Sequence, residues 1–233
     1  DRKIAMGTNN INEGPAMTLS QTQKAIEIGI EAATRAVDAG HDIIGIGEMG
    51  IGNTTTGSAF LSVLTGLTPE ETTGRGGGIN DRTFAHKKEI VAKAAARTSK
   101  NKDIKNLMAE TAGFDIAAMA GAFIGAASKG IPAVIDGYIS AVAALAAQRM
   151  EPDAGSYFFA SHRSAEAAYD HVIKELGTKP LLDLEMRLGE GSGCVPAFEI
   201  IRSACAVIRN MATFEEARID DGYLEEIRKG GCF

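Results

Sequence analysis

The chain is predicted to fold as an α/β protein: an open, mostly parallel sheet with helices on both faces, plus a small helical part completed by the chain termini. Three observations predict it. Short apolar runs alternate with helical segments of about a dozen residues. The runs are apolar throughout rather than alternating, as strands buried on both faces are. Each run ends in a loop of glycine and polar residues, the place where open parallel sheets bind ligands.

Taken in order, Thr18-Leu19-Ser20 opens the first helix with Thr18 or Ser20 as N-cap. Ala25, Ile26, Ile28, Gly29, Ala32, Ala33 and Ala36 recur at helical spacing until Gly40 stops it. His41 to Ile46 reads as a short buried strand and 47–56 as the loop at its carboxyl end, with Ser58 to Leu64 helical again. Four glycines between 74 and 78 make 72–80 too glycine-rich for regular structure, and Asp81 is expected to cap a helix from Arg82 to Arg97. Helices are expected over 102–112 and 114–127, the second rich in small residues, before the strand Ile131 to Gly137 with its terminal carboxylate Asp136. Ile139 to Gln148 is apolar enough for a helix covered on most sides. Tyr157 to Ala160 is a strand, Ala165 to Leu176 a helix and Leu181 to Leu184 a short strand. Ala197 to Met211 is a long helix, and the polar tail to Phe233 is helical in part. Residues 1–212 are thus expected to form an α/β catalytic domain, and 213–233 a helical tail contributing to a small helical domain.

Composition narrows the function. The 233 residues are 45% hydrophobic and 23% charged, as in an ordinary globular domain. A net charge of −6 argues against a broad basic surface for nucleic acid. No apolar run approaches the roughly 20 residues of a bilayer span, so neither nucleic acid nor membrane is an expected partner. No basic-then-apolar leader opens the chain. Cys194, Cys205 and Cys232 are odd in number and lack metal-ligand spacing, which fits reduced thiols in the cytoplasm. The chain opens on Asp1 rather than Met, compatible with an upstream segment that is missing, cleaved or disordered.

The loops carry the chemistry. Leu188-Gly189-Glu190-Gly191-Ser192-Gly193 holds one carboxylate between glycines, which free the backbone and let a ligand approach. A glutamate so placed suits an acid or base aimed into a cleft better than a solubilising charge. Gly47-Glu48-Met49-Gly50-Ile51-Gly52-Asn53-Thr54-Thr55 repeats the arrangement, and two such turns point to an enzyme. Gly74-Arg75-Gly76-Gly77-Gly78 reads either as a flexible turn or as backbone N–H groups cradling a phosphate at a helix N-terminus. Lys87, further along that helix, is a surface charge or reaches the same anion, whereas His86 and Lys88 read as surface residues. Neither the Walker pattern nor the dinucleotide fingerprint is present. Ser161-His162-Arg163-Ser164 lacks the spacing of a nucleophile elbow and resembles a helix cap, leaving His162 a structural or substrate-side group. Asp136 either contacts a ribose hydroxyl or holds a turn. The four histidines do not cluster, so no metal is expected, and no cofactor.

These loops, together with Thr73 to Ile79, Ile131 to Gly137, Ser161 to Glu166 and Leu181 to Gly193, resemble the nicotinate-nucleotide–dimethylbenzimidazole phosphoribosyltransferase family of cobalamin lower-ligand assembly, in order and from Ile4 to Ala217. The resemblance implies a Rossmann-like sheet and transfer of the 5-phosphoribosyl group of nicotinate mononucleotide to 5,6-dimethylbenzimidazole or a related base. It implies that Glu190 is the catalytic base and Glu48 the second acid of the site. The substrate-binding positions it implies are Gly50, Asn53, Thr54, Gly76, Gly78, Lys87, Asp136, Ser161, Ser164, Gly189 and Gly191. A cytoplasmic homodimer is implied as well, and small-residue helices such as Phe114 to Ala127 suit close packing. Two features depart from the family. The N-terminal segment that normally helps build the aromatic-base pocket is absent from this sequence, and Asn80 and His86 stand where an acidic and a basic residue are expected.

The chemistry agrees with the residues. The ring nitrogen of nicotinate mononucleotide is already cationic, so the leaving group departs neutral and needs no acid. The acceptor nitrogen attacks while its partner nitrogen carries a proton, which a glutamate within hydrogen-bond reach can take. Two other readings are open: a nucleotide-phosphate-binding module without turnover, and a phosphate-ester hydrolase, which the lack of metal ligands disfavours.

Overall fold

The computed structural model describes residues 1–98, 103–220 and 222–229. Lys102, at the start of the expected helix over 102–112, and Gly230 to Phe233, including Cys232, lie outside the described residues. The chain forms two compact units, Asp1–Ala197 and Phe198–Phe233.

In the first unit, β1 (Ile44–Ile46), β2 (Ala133–Ile135) and β3 (Phe158–Ala160) form a parallel sheet in that order. Gly45 pairs with Val134, and Val134 with Phe159. Helix α1 (Leu19–Asp38) precedes the sheet. Between β1 and β2 run α2 (Asn53–Thr65), α3 (Pro69–Thr72), α4 (Asp81–Thr98), α5 (Ile104–Thr111) and α6 (Phe114–Ser128). Helix α7 (Tyr138–Met150) and a 3-10 turn (Pro152–Tyr157) lead to β3, and α8 (Tyr169–Leu176) follows it. Helix α9 spans Cys194–Asn210, and the second unit ends in α10 (Gly222–Lys229).

Local chemistry explains these boundaries. A reciprocal capping box opens α1: Gln21 N–H donates to Thr18 Oγ1 at 3.2 Å, and Thr18 N–H to Gln21 Oε1 at 2.9 Å. Asn80 caps α4 by accepting from Thr83 N–H at 2.9 Å, which corrects the expected cap at Asp81. Asp81 pairs with Arg75 instead, at 2.6 Å. Helix α2 begins at Asn53, five residues before the expected Ser58, because the left-handed Gly52 turns the loop directly into it. Residues 165–168 stay in a turn rather than opening α8, and the expected strand at Leu181 to Leu184 is reduced to one parallel bridge between Leu182 and His162.

The core is built on alanine and glycine. Tyr138 through Ala147 of α7 are all buried. Helices α1 and α6 meet along glycines: a Cβ on Gly29 would lie 1.8 Å from the Ala118 carbonyl oxygen, and one on Gly121 2.0 Å from that of Ile26. The small-residue face of α6 therefore packs on α1 of the same chain. A satellite cluster of Ile11, Ala16, Ala59, Val91 and Ala94 seats α4 on α2. The loops that follow the three strands are thus anchored on a tightly packed base.

Candidate active site

The residues that follow β1, β2 and β3 share the wall of one cavity of about 1000 Å³. Glu48 to Thr54 come from the first strand end, Asp136 to Ser140 from the second, and His162 and Ser164 to Ala167 from the third. The glycine loop Thr73 to Gly78 and the segment Arg187 to Gly189 close the remaining sides.

The two glutamate turns lie back to back. Glu190 N–H donates to the Glu48 carbonyl at 3.0 Å. The approach requires glycine at 47, where a Cβ would lie 2.2 Å from Gly191 N. Buried Asp136 pins the second turn from below, its Oδ2 accepting from Gly191 N–H at 2.9 Å and its Oδ1 from Gly193 N–H at 2.8 Å. Glu190 has φ +60°, left-handed backbone that glycine adopts freely and glutamate does not. Such strain, of order 1–3 kcal/mol, persists where the surroundings over-determine it and clusters at functional sites. The Glu190 side chain is exposed, beside the wall residues Leu188 and Gly189.

Glu48 has a different environment. Its Oε2 accepts from Asn53 Nδ2, which also donates to Asp115 Oδ2 at 2.9 Å. Burial raises the Glu48 carboxyl above the ordinary carboxylate range; the Asn53 hydrogen bond opposes this, and the neighbouring charges of Asp115 and Asp136 add to it.

At the glycine loop, the buried Lys87 ammonium donates to Thr54 Oγ1 at 2.9 Å and to the Gly74 carbonyl at 2.7 Å. Burial lowers its pKa, and the Glu166 carboxylate pulls the other way. The loop takes left-handed backbone at Gly76 and Gly78, and Gly76 comes close to Thr54. The N-terminal turn of α2, a region of positive backbone potential, is therefore next to a buried cation. A buried cation beside backbone N–H groups has the charge and donors that an anion would need. Behind the third strand end, His162 is buried, with Nδ1 3.1 Å from Ser161 Oγ; burial lowers its pKa and nearby Asp136 opposes.

A family model described as phosphoribosyltransferase matches residues 1–219. The chain belongs to that family. Nicotinate-nucleotide–dimethylbenzimidazole phosphoribosyltransferase of Clostridium perfringens is 50% identical over all of this chain, and that of Clostridium tetani is 45% identical over 98% of it. The chain spans 65% and 64% of those proteins' lengths. The crystal structure of CobT from Thermus thermophilus superposes with a TM-score of 0.90 at 40% identity, over 95% of this chain and 66% of that one. No helix among the described residues is long and apolar enough to cross a membrane.

Within this phosphoribosyltransferase fold the residues singled out from the sequence divide into three groups. Glu48, Gly50, Asn53, Thr54, Gly76, Gly78, Asp136, Ser164 and Gly189 line the cavity. Lys87 stands just behind the wall, touching it through Thr54 and Gly74. Glu190, Ser161 and Gly191 are not among the wall residues: the Glu190 side chain is exposed beside Leu188 and Gly189, the Ser161 hydroxyl donates to the Asp136 carbonyl at 3.1 Å, and Gly191 N–H is taken by Asp136. Of the two readings of Asp136, the turn-holding one has both carboxylate oxygens behind it. Sequence reasoning passed over Asp115, Arg75, Phe84, Tyr138 and Arg187. Asp115 had only the look of an acid complementing a helix N-terminus.

Proposed function

We propose that this chain carries the phosphoribosyl-transfer centre of an enzyme converting nicotinate mononucleotide and 5,6-dimethylbenzimidazole, or a related base, to α-ribazole 5′-phosphate and nicotinate. The observation that carries this reading is the pair of carboxylate turns, hydrogen-bonded back to back, beside a cavity whose glycine loop is backed by Lys87.

The nucleotide phosphate would lie on the glycine loop. There it meets backbone N–H groups, the α2 N-terminus and Lys87, whose ammonium has three donors of which Thr54 and Gly74 take two. The sugar would then extend toward Asp136 and Glu48. As the cationic ring departs, positive charge grows at the anomeric carbon, and the Glu48 carboxylate, in a partly dry setting, is placed to stabilise it. Glu190, at the rim, meets the acceptor from outside and takes its N–H proton as the new C–N bond forms. Attack opposite the leaving ring turns a β-nucleotide into an α-nucleotide. A cytoplasmic homodimer belongs to the same reading.

The test is incubation of the full-length protein with nicotinate mononucleotide and dimethylbenzimidazole, with separation of the products. Stoichiometric nicotinate and an α-nucleotide are expected. Binding of the nucleotide without either product would instead favour a module that has lost turnover.

A further inference from the structure

The Asn53 amide nitrogen carries two hydrogens, and two carboxylates take them: Glu48 Oε2 and, at 2.9 Å, Asp115 Oδ2. Asp115 comes from the first turn of α6, 62 residues further along the chain, and is not part of the cavity wall. Two glycines make room for the contact. A Cβ on Gly50 would lie 2.6 Å from Asn53 Nδ2 and 3.0 Å from Asp115 Oδ2, and one on Gly113 would lie 2.2 Å from Asp115 Oδ1. Any other residue at 50 would push the amide or the carboxylate away.

This contact matters because an asparagine amide is nearly symmetrical in shape, and a half-turn exchanges its donor and its acceptor. Against an ionised Glu48 the nitrogen must face the carboxylate. Against a protonated Glu48 the amide oxygen would serve equally well, so Glu48 alone does not hold the amide in one orientation. A second carboxylate on the same nitrogen does. We propose that Asp115 is a positioning residue: acting through Asn53, it fixes the amide as a permanent donor to Glu48 and so holds that carboxylate in place on the cavity wall. The role of Glu48 rests on the phosphoribosyl-transfer reading; the Asp115–Asn53–Glu48 relay does not. The groups facing Glu48 are Asn53 from α2, Asp115 from α6, Asp136 from the end of β2 and the Gly50 N–H within its own turn.

The experiment uses the full-length protein with ¹³C-labelled glutamate, following carboxyl shifts against pH by NMR. The Glu48 resonance is assigned by its loss in Glu48→Gln. Asp115→Asn keeps an oxygen for Asn53 but removes a neighbouring negative charge, so Glu48 is expected to titrate at lower pH than in the wild type. Asn53→Leu removes the donor that favours the charged form, so Glu48 is expected to titrate at higher pH. In Asp115→Leu, which frees the amide, kcat is expected to fall about 10- to 100-fold at unchanged KM for nicotinate mononucleotide, as small misplacements of a reacting group do. The upward displacement in Asn53→Leu together with the fall in kcat in Asp115→Leu establishes the relay, since the downward displacement in Asp115→Asn reports only the lost charge. A Glu48 titration that does not move in either variant, with only the melting temperature altered, overturns it. The titration needs no turnover, so a wild-type protein inactive on these substrates would sink the functional reading alone. If Asp115→Leu fails to fold, Asp115→Ala, which also frees the amide, carries the same kcat and KM test.

Discussion

Glu190 stands exposed on left-handed backbone, and Glu48 half-buried beneath an amide; their expected mutational behaviour differs accordingly. On the proposed reading, replacing Glu190 by Gln removes the proton acceptor and leaves the nucleotide's contacts in place. Turnover is expected to fall about 10²–10⁴-fold, with nicotinate mononucleotide binding unchanged by calorimetry; near-normal turnover would rule Glu190 out as the base. Glu190→Gly is expected to be equally inactive yet more stable by up to about 1 kcal/mol in urea, because glycine relieves the positive φ. At Glu48 the folded state raises the carboxyl pKa, mainly through burial. The associated stability is full below the unfolded value and is lost as pH rises through the folded one. Glu48→Gln mimics the protonated form and escapes that loss. Its melting temperature is expected to exceed the wild type's at pH 8 and to converge with it below the ordinary value of 4.5. Lys87→Ala is expected to weaken nicotinate mononucleotide binding with little change in kcat; unchanged affinity would remove Lys87 from the phosphate site. The two glutamate turns, which the structure brings together, stand out in the sequence because glycines flank them. The place of Ser161 behind the wall and the part of Asp115 were not legible because they depend on contacts 25 and 62 residues distant, which local pattern does not encode.

Among the elements, the parallel order of strands and most helices were legible because apolar runs and helical spacing alternate cleanly. The failures have local causes. Asn80 outcompeted Asp81 as the α4 cap because Arg75 takes Asp81. The short helix α8 starts late because 165–167 form part of the cavity wall. The small residues of α6 suit close packing, and that packing is made within the chain, where Gly121 and Gly125 face Ile26, Ile30 and Ala33 of α1. This pairing is testable by a substitution that propensity alone would favour. Gly121→Ala gains about 1 kcal/mol of helix propensity, but the new methyl would lie 2.0 Å from the Ile26 carbonyl oxygen. Overpacking of this kind typically costs about 1–3 kcal/mol, so the variant is expected to show a lower urea midpoint at unchanged slope. A higher midpoint would mean that α1 and α6 are not packed this closely.

At the scale of the whole molecule, the proposed reaction brings two ligands to one site, and the dimensions of that site bear on the order of events. A cavity of about 1000 Å³ is at the upper end of the range for small-molecule sites. The nucleotide and the acceptor base can therefore occupy it together. On the proposed reading the base would attack the sugar directly, and no carboxylate would need to hold the phosphoribosyl group in the interval. A double displacement would instead require Glu48 or Glu190 to bond to the anomeric carbon, release nicotinate first, and deliver the product with retained configuration. The two routes differ in what happens without acceptor. In direct displacement, labelled nicotinate incubated with the protein and unlabelled nicotinate mononucleotide is expected to enter no nucleotide until dimethylbenzimidazole is added. Initial rates at several fixed concentrations of each substrate are expected to give intersecting double-reciprocal lines. Label exchange in the absence of acceptor, or parallel lines, would reassign one of the two glutamates from proton acceptor or charge stabiliser to nucleophile. Repeating the exchange in Glu190→Gln and Glu48→Gln would then identify which of them forms the bond.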